Sequence, residues 1–472
     1  MNTLELEDIQ GYIIRAYGNM QYSRFSLLKI NDPVTAKMWI NSISSQLTNA
    51  SIVAKDQLPD TCLNIAFAPA GLQKLGLSQT NINTFSPPYK EGMTTEHRRS
   101  LLGDIDSSSP EHWVWGGLKN EPVHLILLTF GKDEITCLNY YNKLKTEFES
   151  NGLEEQKNLD GLTLKDNKEH FGFRDGIAQP IIKGSGRTGP EHNSVNPGEF
   201  ILGYKNNYKV YPDSPTIIEP QGNMNLLSPN PARIGKKDLG KNGSYLIIRQ
   251  MQQDVEGFWG FMNERTAKDG LLNEAESVKL ASKMVGRWPS GAPLSKFPDK
   301  DPGGVSDEND FLYAKDDPKG LKCPFGSHLR RMNPRDNFEA DTPKKSLLLS
   351  NRHRLIRRAR LYGEQIIGSP TNHKPKGEVG LYFNCFSADI SRQFEFLQYT
   401  WSNYPKIKQL YSDPDPIIGV VENPQKDQEQ QFTLQGDPIN KTVKNLKRFV
   451  TIKGGAYFFF PSITTIRYFC SL

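Results

Sequence analysis

Short runs of alternating apolar and polar residues are followed, again and again along this chain, by stretches in which apolar residues recur every third or fourth position. TCLNIAFAPAGLQKLG (Thr61–Gly76) is one such unit, and VHLILLTFGKDEITCLNYYNKLKTEF (Val123–Phe148) is another. The first part of each is rich in β-branched and aromatic residues, as a strand requires. The second part has a helical period, which in the longer unit predicts a buried stripe of Ile135, Leu138, Tyr141 and Leu144. The second half of the chain repeats the plan. NGSYLIIRQMQQDVEGFWGFM (Asn242–Met262) and GLYFNCFSADISRQFEFLQYTW (Gly380–Trp401) each run from strand into helix, and GGAYFFFPS (Gly454–Ser462) reads as a final strand. Two similar sets of strands with short links to helices predict an α+β protein built from two ferredoxin-like sandwich domains.

Between the two sets, from Lys183 to Lys241, turn formers accumulate in GSGRTG, VNPGEF, YPDSP and LSPNPAR, which rules out a long regular element there. The domain boundary is placed late in this stretch, giving 1–225 and 226–472. A second Gly/Pro-rich stretch, Arg287 to Phe325, precedes Ser327 and His328, and long ordered loops of this kind often shape a pocket.

Composition narrows the class. The chain has 472 residues, with 36% hydrophobic, 24% charged, 39 Gly and 31 Pro. These values suit a globular protein with many loops and enough length for two domains. A net charge of +5 does not call for nucleic acid or an anionic membrane as partner. The five cysteines are scattered and form no CxxC pair, so zinc-ribbon, thioredoxin-like and c-type haem attachment readings all lack support, and a reducing compartment is expected. The start, MNTLELEDIQGYIIRAYG, lacks the basic and apolar regions of a secretory signal, and no apolar run is long enough to span a bilayer. A cytoplasmic location, or export without a recognisable signal, follows as the expectation. Cys470-Ser471-Leu472 lacks the central Lys of a peroxisomal tripeptide and reads as a frayed tail.

The chemistry centres on HFGFRDGIAQP, His170 to Pro180. Glycine permits positive φ and close approach of backbone to a flat ligand, so Gly172 and Gly176 would present Asp175 at a loop tip. By itself GxxDG is an ordinary Asp-Gly turn. The full string, however, resembles the signature of the dye-decolourising peroxidase family, and further blocks follow the family's order. RRSLLGD and HWVWGG lie upstream. PGEFILGY, NGSYLIIRQMQQDV, MVGRWPSGAPL, CPFGSHLRRMNPRD, NRHRLIRRARLYG, GLYFNCFSADISRQFEFLQ and GGAYFFFPS lie downstream. The resemblance runs from about Asp8 to the C-terminus and is strongest to the longer, elaborated members.

That resemblance implies a dimeric α/β barrel type of fold and a haem b, one per chain and non-covalent, held mainly by the C-terminal domain. It assigns His328, in CPFGSHLRRMNPRD, as the proximal iron ligand, with His353 as the rival. It maps the distal arginine to Arg357, with Arg358 and Arg360 as competitors; Ala359 stands where the family often has Gly. Leu381 and Phe383 resemble apolar residues that roof the distal pocket, and strand alternation puts both on one face. Glu395 is the candidate acceptor for the proximal imidazole. Tyr362 and Trp401 are candidates for surface electron transfer to substrates too bulky for the pocket.

The activity implied is reduction of hydrogen peroxide and oxidation of dyes and phenolics through a ferryl intermediate. Asp175 would carry the proton and Arg357 would stabilise developing charge. An ordinary Asp ionises near ~3.9, so an acidic optimum is expected. The partners implied are peroxide and aromatic donors, with no nucleic acid or membrane and with a homo-oligomer left open. The competing readings are a non-catalytic haem carrier on the same fold, which needs only His328 and an apolar slot, and an anion- or nucleotide-binding protein using Gly184–Gly189, which lacks the P-loop Lys-Ser/Thr.

Overall fold

A computed structural model describes residues 3–51, 59–338, 340–365, 371, 374–408, 410–420 and 430–472. Each strand-then-helix unit read from the sequence is present. In the first half the strands are β1 (Tyr22–Ile30), β2 (Thr61–Phe67), β3 (Leu125–Gly131) and β4 (Leu153–Leu162). In the second they are β5 (Ser244–Gln253), the interrupted pair β6 (Ile356–Arg357) and β7 (Arg360–Tyr362), β8 (Gly380–Ser387) and β9 (Val450–Phe460). All pairings among these strands are antiparallel, and both halves have the ferredoxin-like order: β4-β1-β3-β2 and β9-β5-β8-β6/β7.

The halves join into one closed barrel. One seam is a single register pair between β9 and β2, Phe459 opposite Phe67, and the other is Leu361 of β7 opposite Leu162 of β4. Closure removes the unpaired sheet edges that two separate sandwiches would expose. Alternation along the strands sorts the core accordingly. Phe25, Leu128, Leu246, Phe386 and Phe458 share one buried cluster with Tyr12 and Ile13, which plug the barrel. The alternate residues Leu63, Leu127, Ile247 and Tyr457 belong to a second cluster with the helices.

In the first half that second cluster is filled by α1 (Pro33–Ile43) and α2 (Glu134–Glu149), through Trp39, Ile40, Leu144 and Phe148. Asp32 and Asp133 cap the two helices, accepting from the N–H groups of Val34 and Thr136. The buried stripe of α2 is Cys137, Tyr141, Leu144 and Phe148. Ile135 is 74% exposed, because Asp133 starts the helix and leaves position 135 in its first, outward-facing turn. In the second half α3 (Val255–Thr266) and α4 (Glu274–Val285) pack in a cluster with Phe171 and Phe173.

The stretch from 183 to 241 holds two-residue strands and single helical turns, as its turn formers require. The chain does not end on β9. Helix α6, Ile463–Cys470, follows it, packs against α1, and places the Leu472 carbonyl 2.6 Å from Lys37 Nζ, so the last residues are docked rather than frayed. Among the described residues no helix is long and apolar enough to cross a membrane.

Candidate active site

A cavity lies against the outer face of the second-half sheet. Its floor is Met251 and Gln253 of β5, Leu381 and Phe383 of β8 and Val450 of β9. Leu381 sits opposite Met251 in register, and two-residue alternation carries Phe383 to the same side. Phe394, Leu397 and Gln398 close one flank from the helical turns Ser391–Glu395 and Leu397–Asn403. These turns are wide: Glu395 N–H reaches back five residues to the Ile390 carbonyl. Such turns recur at functional sites.

One wall carries His328, the first residue of α5 (His328–Met332). Its Nδ1 lies 2.9 Å from Asp415 Oδ2, whose side chain is fully buried. Asp415 Oδ1 also accepts from the N–H groups of Ile417 and Ile418. Burial disfavours the Asp415 charge, but the His328 ring, Arg331 and the Ile418 N–H outweigh it and hold the carboxyl below its ordinary value. An ionised Asp415 can only accept, so Nδ1 carries a proton, and Nε2 is the ring nitrogen left outside that contact. Arg331 locks the arrangement by donating to the carbonyls of Trp401, Asp413 and Tyr404.

The other wall comes from the first half of the chain. After β4 the backbone crosses beneath the second-half sheet, and Gly172 and Gly176, at φ of 92° and 83°, turn the loop that presents Asp175. His170, fully buried, anchors the start of that loop by donating from Nε2 to the Tyr362 carbonyl at 2.9 Å. Asp175 Oδ1 is 3.3 Å from Arg357 Nη1, with side-chain exposures of 43% and 27%, so this pair keeps contact with solvent. Of the three competing arginines only Arg357 lines the cavity. Arg358 donates to the carbonyls of Tyr12 and Ile13, and Arg360 to those of Met20 and Tyr17, which turns both into the mouth of the barrel. His353 is likewise turned away, with Nδ1 donating to the Arg392 carbonyl and its ring 4.1 Å from that of Phe396.

Three expectations are corrected. Glu395 does not meet His328: it is one step around the helix from Phe394 and faces outward from the cavity, where it pairs with Arg98 and accepts from Tyr457 Oη at 2.9 Å. Asp415 is the carboxylate that meets the His328 ring. Tyr362 is only 7% exposed, stacks on Tyr382 at 4.8 Å and donates to Glu378, while Trp401 is 1% exposed beneath His353, Phe396 and Phe338. Neither is a surface residue. Asp415 left a weak trace in the sequence, the DPDP string, but nothing local says which Asp reaches a histidine 87 positions away.

The donor set suits an iron porphyrin. One imidazole nitrogen is free to ligate a metal, its partner is a buried carboxylate, and Leu381, Phe383, Ile417, Ile418 and Leu329 supply apolar faces. Arg174, Arg287, Arg354 and Arg357 also line the cavity, so the two carboxylates of a porphyrin have cations to meet. Burial, with Arg335 and Arg357 nearby, lowers the Arg354 guanidinium to about 9, and burial lowers Arg287 to about 10. Both would gain from an anion.

The fold has relatives among known proteins. Residues 8–163 match the model of the DyP dimeric alpha+beta barrel domain. A dye-decolorizing peroxidase of Exidia glandulosa is 28% identical over 99% of this chain and 87% of its own length. One of Mycena epipterygia is 28% identical over 98% and 87%. The crystal structure of a fungal DyP-type peroxidase from Auricularia auricula-judae superposes with a TM-score of 0.80 at 26% identity, covering 100% of both chains.

Proposed function

This chain belongs to the dye-decolourising peroxidase family, and from that premise we propose that it reduces hydrogen peroxide and oxidises aromatic donors, dyes and phenolics, at one non-covalent haem b between His328 and the Asp175–Arg357 pair. The observation that carries the proposal is the pairing of the two walls. A histidine with a buried carboxylate on Nδ1 faces, across an apolar cavity, an aspartate in contact with an arginine.

The haem, when bound, supplies the electrons that cleave the O–O bond and recovers them from the donors. Asp175 takes a proton from one oxygen of hydrogen peroxide and delivers it to the other, which departs as water. Arg357 provides a fixed positive charge for the anion that develops on the departing oxygen. The Asp415 carboxylate keeps the His328 ring oriented and electron-rich, which favours a high oxidation state of a ligated metal. Leu381 and Phe383 keep water from the reacting centre. The division into 1–225 and 226–472 is proposed on the same reading: the first part delivers Asp175, and the second holds His328 and Arg357.

A haem carrier on the same fold would need only His328 and the apolar floor, and the Asp175–Arg357 contact favours the enzyme. Purified protein should show a Soret band and oxidise an anthraquinone dye or guaiacol on addition of peroxide. A Soret band without peroxide-dependent oxidation would select the carrier, and no band on haem addition would reject both.

A further inference from the structure

Glu169, just outside the sequence motif, holds the loop that presents Asp175. Its Oε2 accepts from Phe171 N–H and its Oε1 from Phe173 N–H, each at 2.9 Å. Its own N–H donates to the Phe173 carbonyl at 2.9 Å, and its carbonyl accepts from Gly172 at 2.8 Å. The loop is thereby closed on one residue. The carboxyl group also lines the cavity, where Gln253 Nε2 of β5 donates to Oε2 at 2.5 Å.

We infer that Glu169 is a positioning residue for the peroxide reaction, whose ionised carboxylate clamps the loop bearing Asp175 and whose protonation releases that clamp. The titratable and charged groups around it are Lys168, His170, Arg174 and Asp175 on its own loop, and Arg287, Arg354, Arg357 and His328 across the cavity. From β5 it meets the neutral Gln253, from β9 Val450, and α3 approaches its loop with Phe258 and Trp259, which pack on Phe171 and Phe173. Among the described residues no cation pairs with Glu169. Burial raises its carboxyl to about 7, the Asp175 charge adds to the rise, and the three N–H donors oppose it. Gln253 Oε1 is buried without a partner. A half-turn of that amide would let a protonated Glu169 donate to Oε1, so each protonation state has its own hydrogen-bonded arrangement.

The inference rests on the peroxidase reading, so its test has two readouts. In haem-loaded wild type the Glu169 limb should override the acidic optimum expected from Asp175 alone, so that kcat/KM for hydrogen peroxide rises several-fold near pH 7. Protection of backbone amides in 169–176 against hydrogen exchange, corrected for the intrinsic pH effect, should rise with it. Glu169→Gln imitates the protonated state and should remove both transitions, leaving the low plateau at every pH. Gln253→Met removes one donor to the carboxylate and should move the limb to higher pH. This second variant keeps the test decisive if Glu169→Gln fails to fold. A wild-type limb absent near pH 7, one that survives Glu169→Gln, or one that Gln253→Met does not move would overturn the clamp. Glu169-dependent protection in a protein that neither takes up haem nor turns over peroxide would instead sink the function and leave the clamp standing.

Discussion

The two halves of the barrel share strand order and helix placement but use the outer face of the sheet differently. In the first half Trp39 and Ile40 of α1, with Leu144 and Phe148 of α2, pack directly on the strands and leave a solid core. In the second half the corresponding face, at Met251, Leu381 and Phe383, opens on a cavity. The difference comes from what is inserted. The loop after β4 drives Phe171 against Phe258 of α3, with ring centroids 4.4 Å apart, and α5 brings in His328 from the end of the Gly/Pro-rich stretch. One duplicated plan thus supplies a rigid half and a half wedged open by loops. Among the described residues, the first half contributes to the cavity only through the loop it sends across.

The strongest way to break this comparison is to remove the imidazole proposed to hold the metal. His328→Ala should abolish haem retention and peroxide turnover while the barrel remains folded, with loss of the Soret band as the measurement. A variant that still binds haem and turns over would refute the assignment. Next in size is the loop from the first half. Asp175→Asn should keep haem and lower kcat/KM for peroxide by roughly 10²- to 10⁴-fold, as loss of a general acid–base does. Wild-type activity from acid to neutral pH in that variant would show that the proton travels elsewhere.

The solid half should respond in the opposite manner. Trp39→Ala leaves a large void among Ile40, Leu144 and Phe148 and should cost about 3–5 kcal/mol of stability. Below its own melting temperature the variant should keep the wild-type Soret spectrum, since α1 contributes nothing to the cavity lining. A changed spectrum would mean that the halves are coupled more tightly than their two single-pair seams imply.

Asp415→Asn probes the His328 wall and should weaken haem affinity by about 10- to 100-fold, the usual effect of losing a carboxylate behind a ligating histidine. The pH dependence has a definite sign. The folded Asp415 carboxyl lies below its ordinary value of 3.8. Its stabilising contribution is therefore complete above that value and is lost as pH falls through the folded one. The melting-temperature advantage of wild type over Asp415→Asn should shrink as pH falls below about pH 4. A constant advantage down to pH 3 would count against an ionised Asp415.

These contrasts also explain what could be read from the sequence. Strand and helix periods are local, so both halves and their order were legible, as was the turn at Gly172 and Gly176. His328, Arg357, Leu381 and Phe383 all line the cavity. What was not legible depends on contacts between distant segments. Ile135 has helical spacing, but the Asp133 cap decides which turn faces the core. Glu395 and Phe394 are neighbours in sequence, and a wide helical turn sends one outward and the other inward. Asp415 and Glu169 act through hydrogen bonds to a ring and to backbone N–H groups, which no residue spacing announces.

The smallest predicted effect falls at Tyr362, on the seam between the halves. The sequence presents it as an exposed electron-transfer residue, but its neighbour Leu361 pairs with β4, and that pairing turns the Tyr362 ring inward beside Tyr382. Burial pushes its phenol well above the ordinary value, so the proton stays on and serves the hydrogen bond to Glu378. Tyr362→Phe should therefore cost about 1 kcal/mol of stability, the worth of one such bond. It should leave turnover of a bulky dye and of a small phenol within about two-fold of wild type, since 0.4 kcal/mol already corresponds to roughly that ratio. Selective loss of dye turnover would show that a ring buried at the seam still passes electrons outward, and would make the joint between the halves part of the working site.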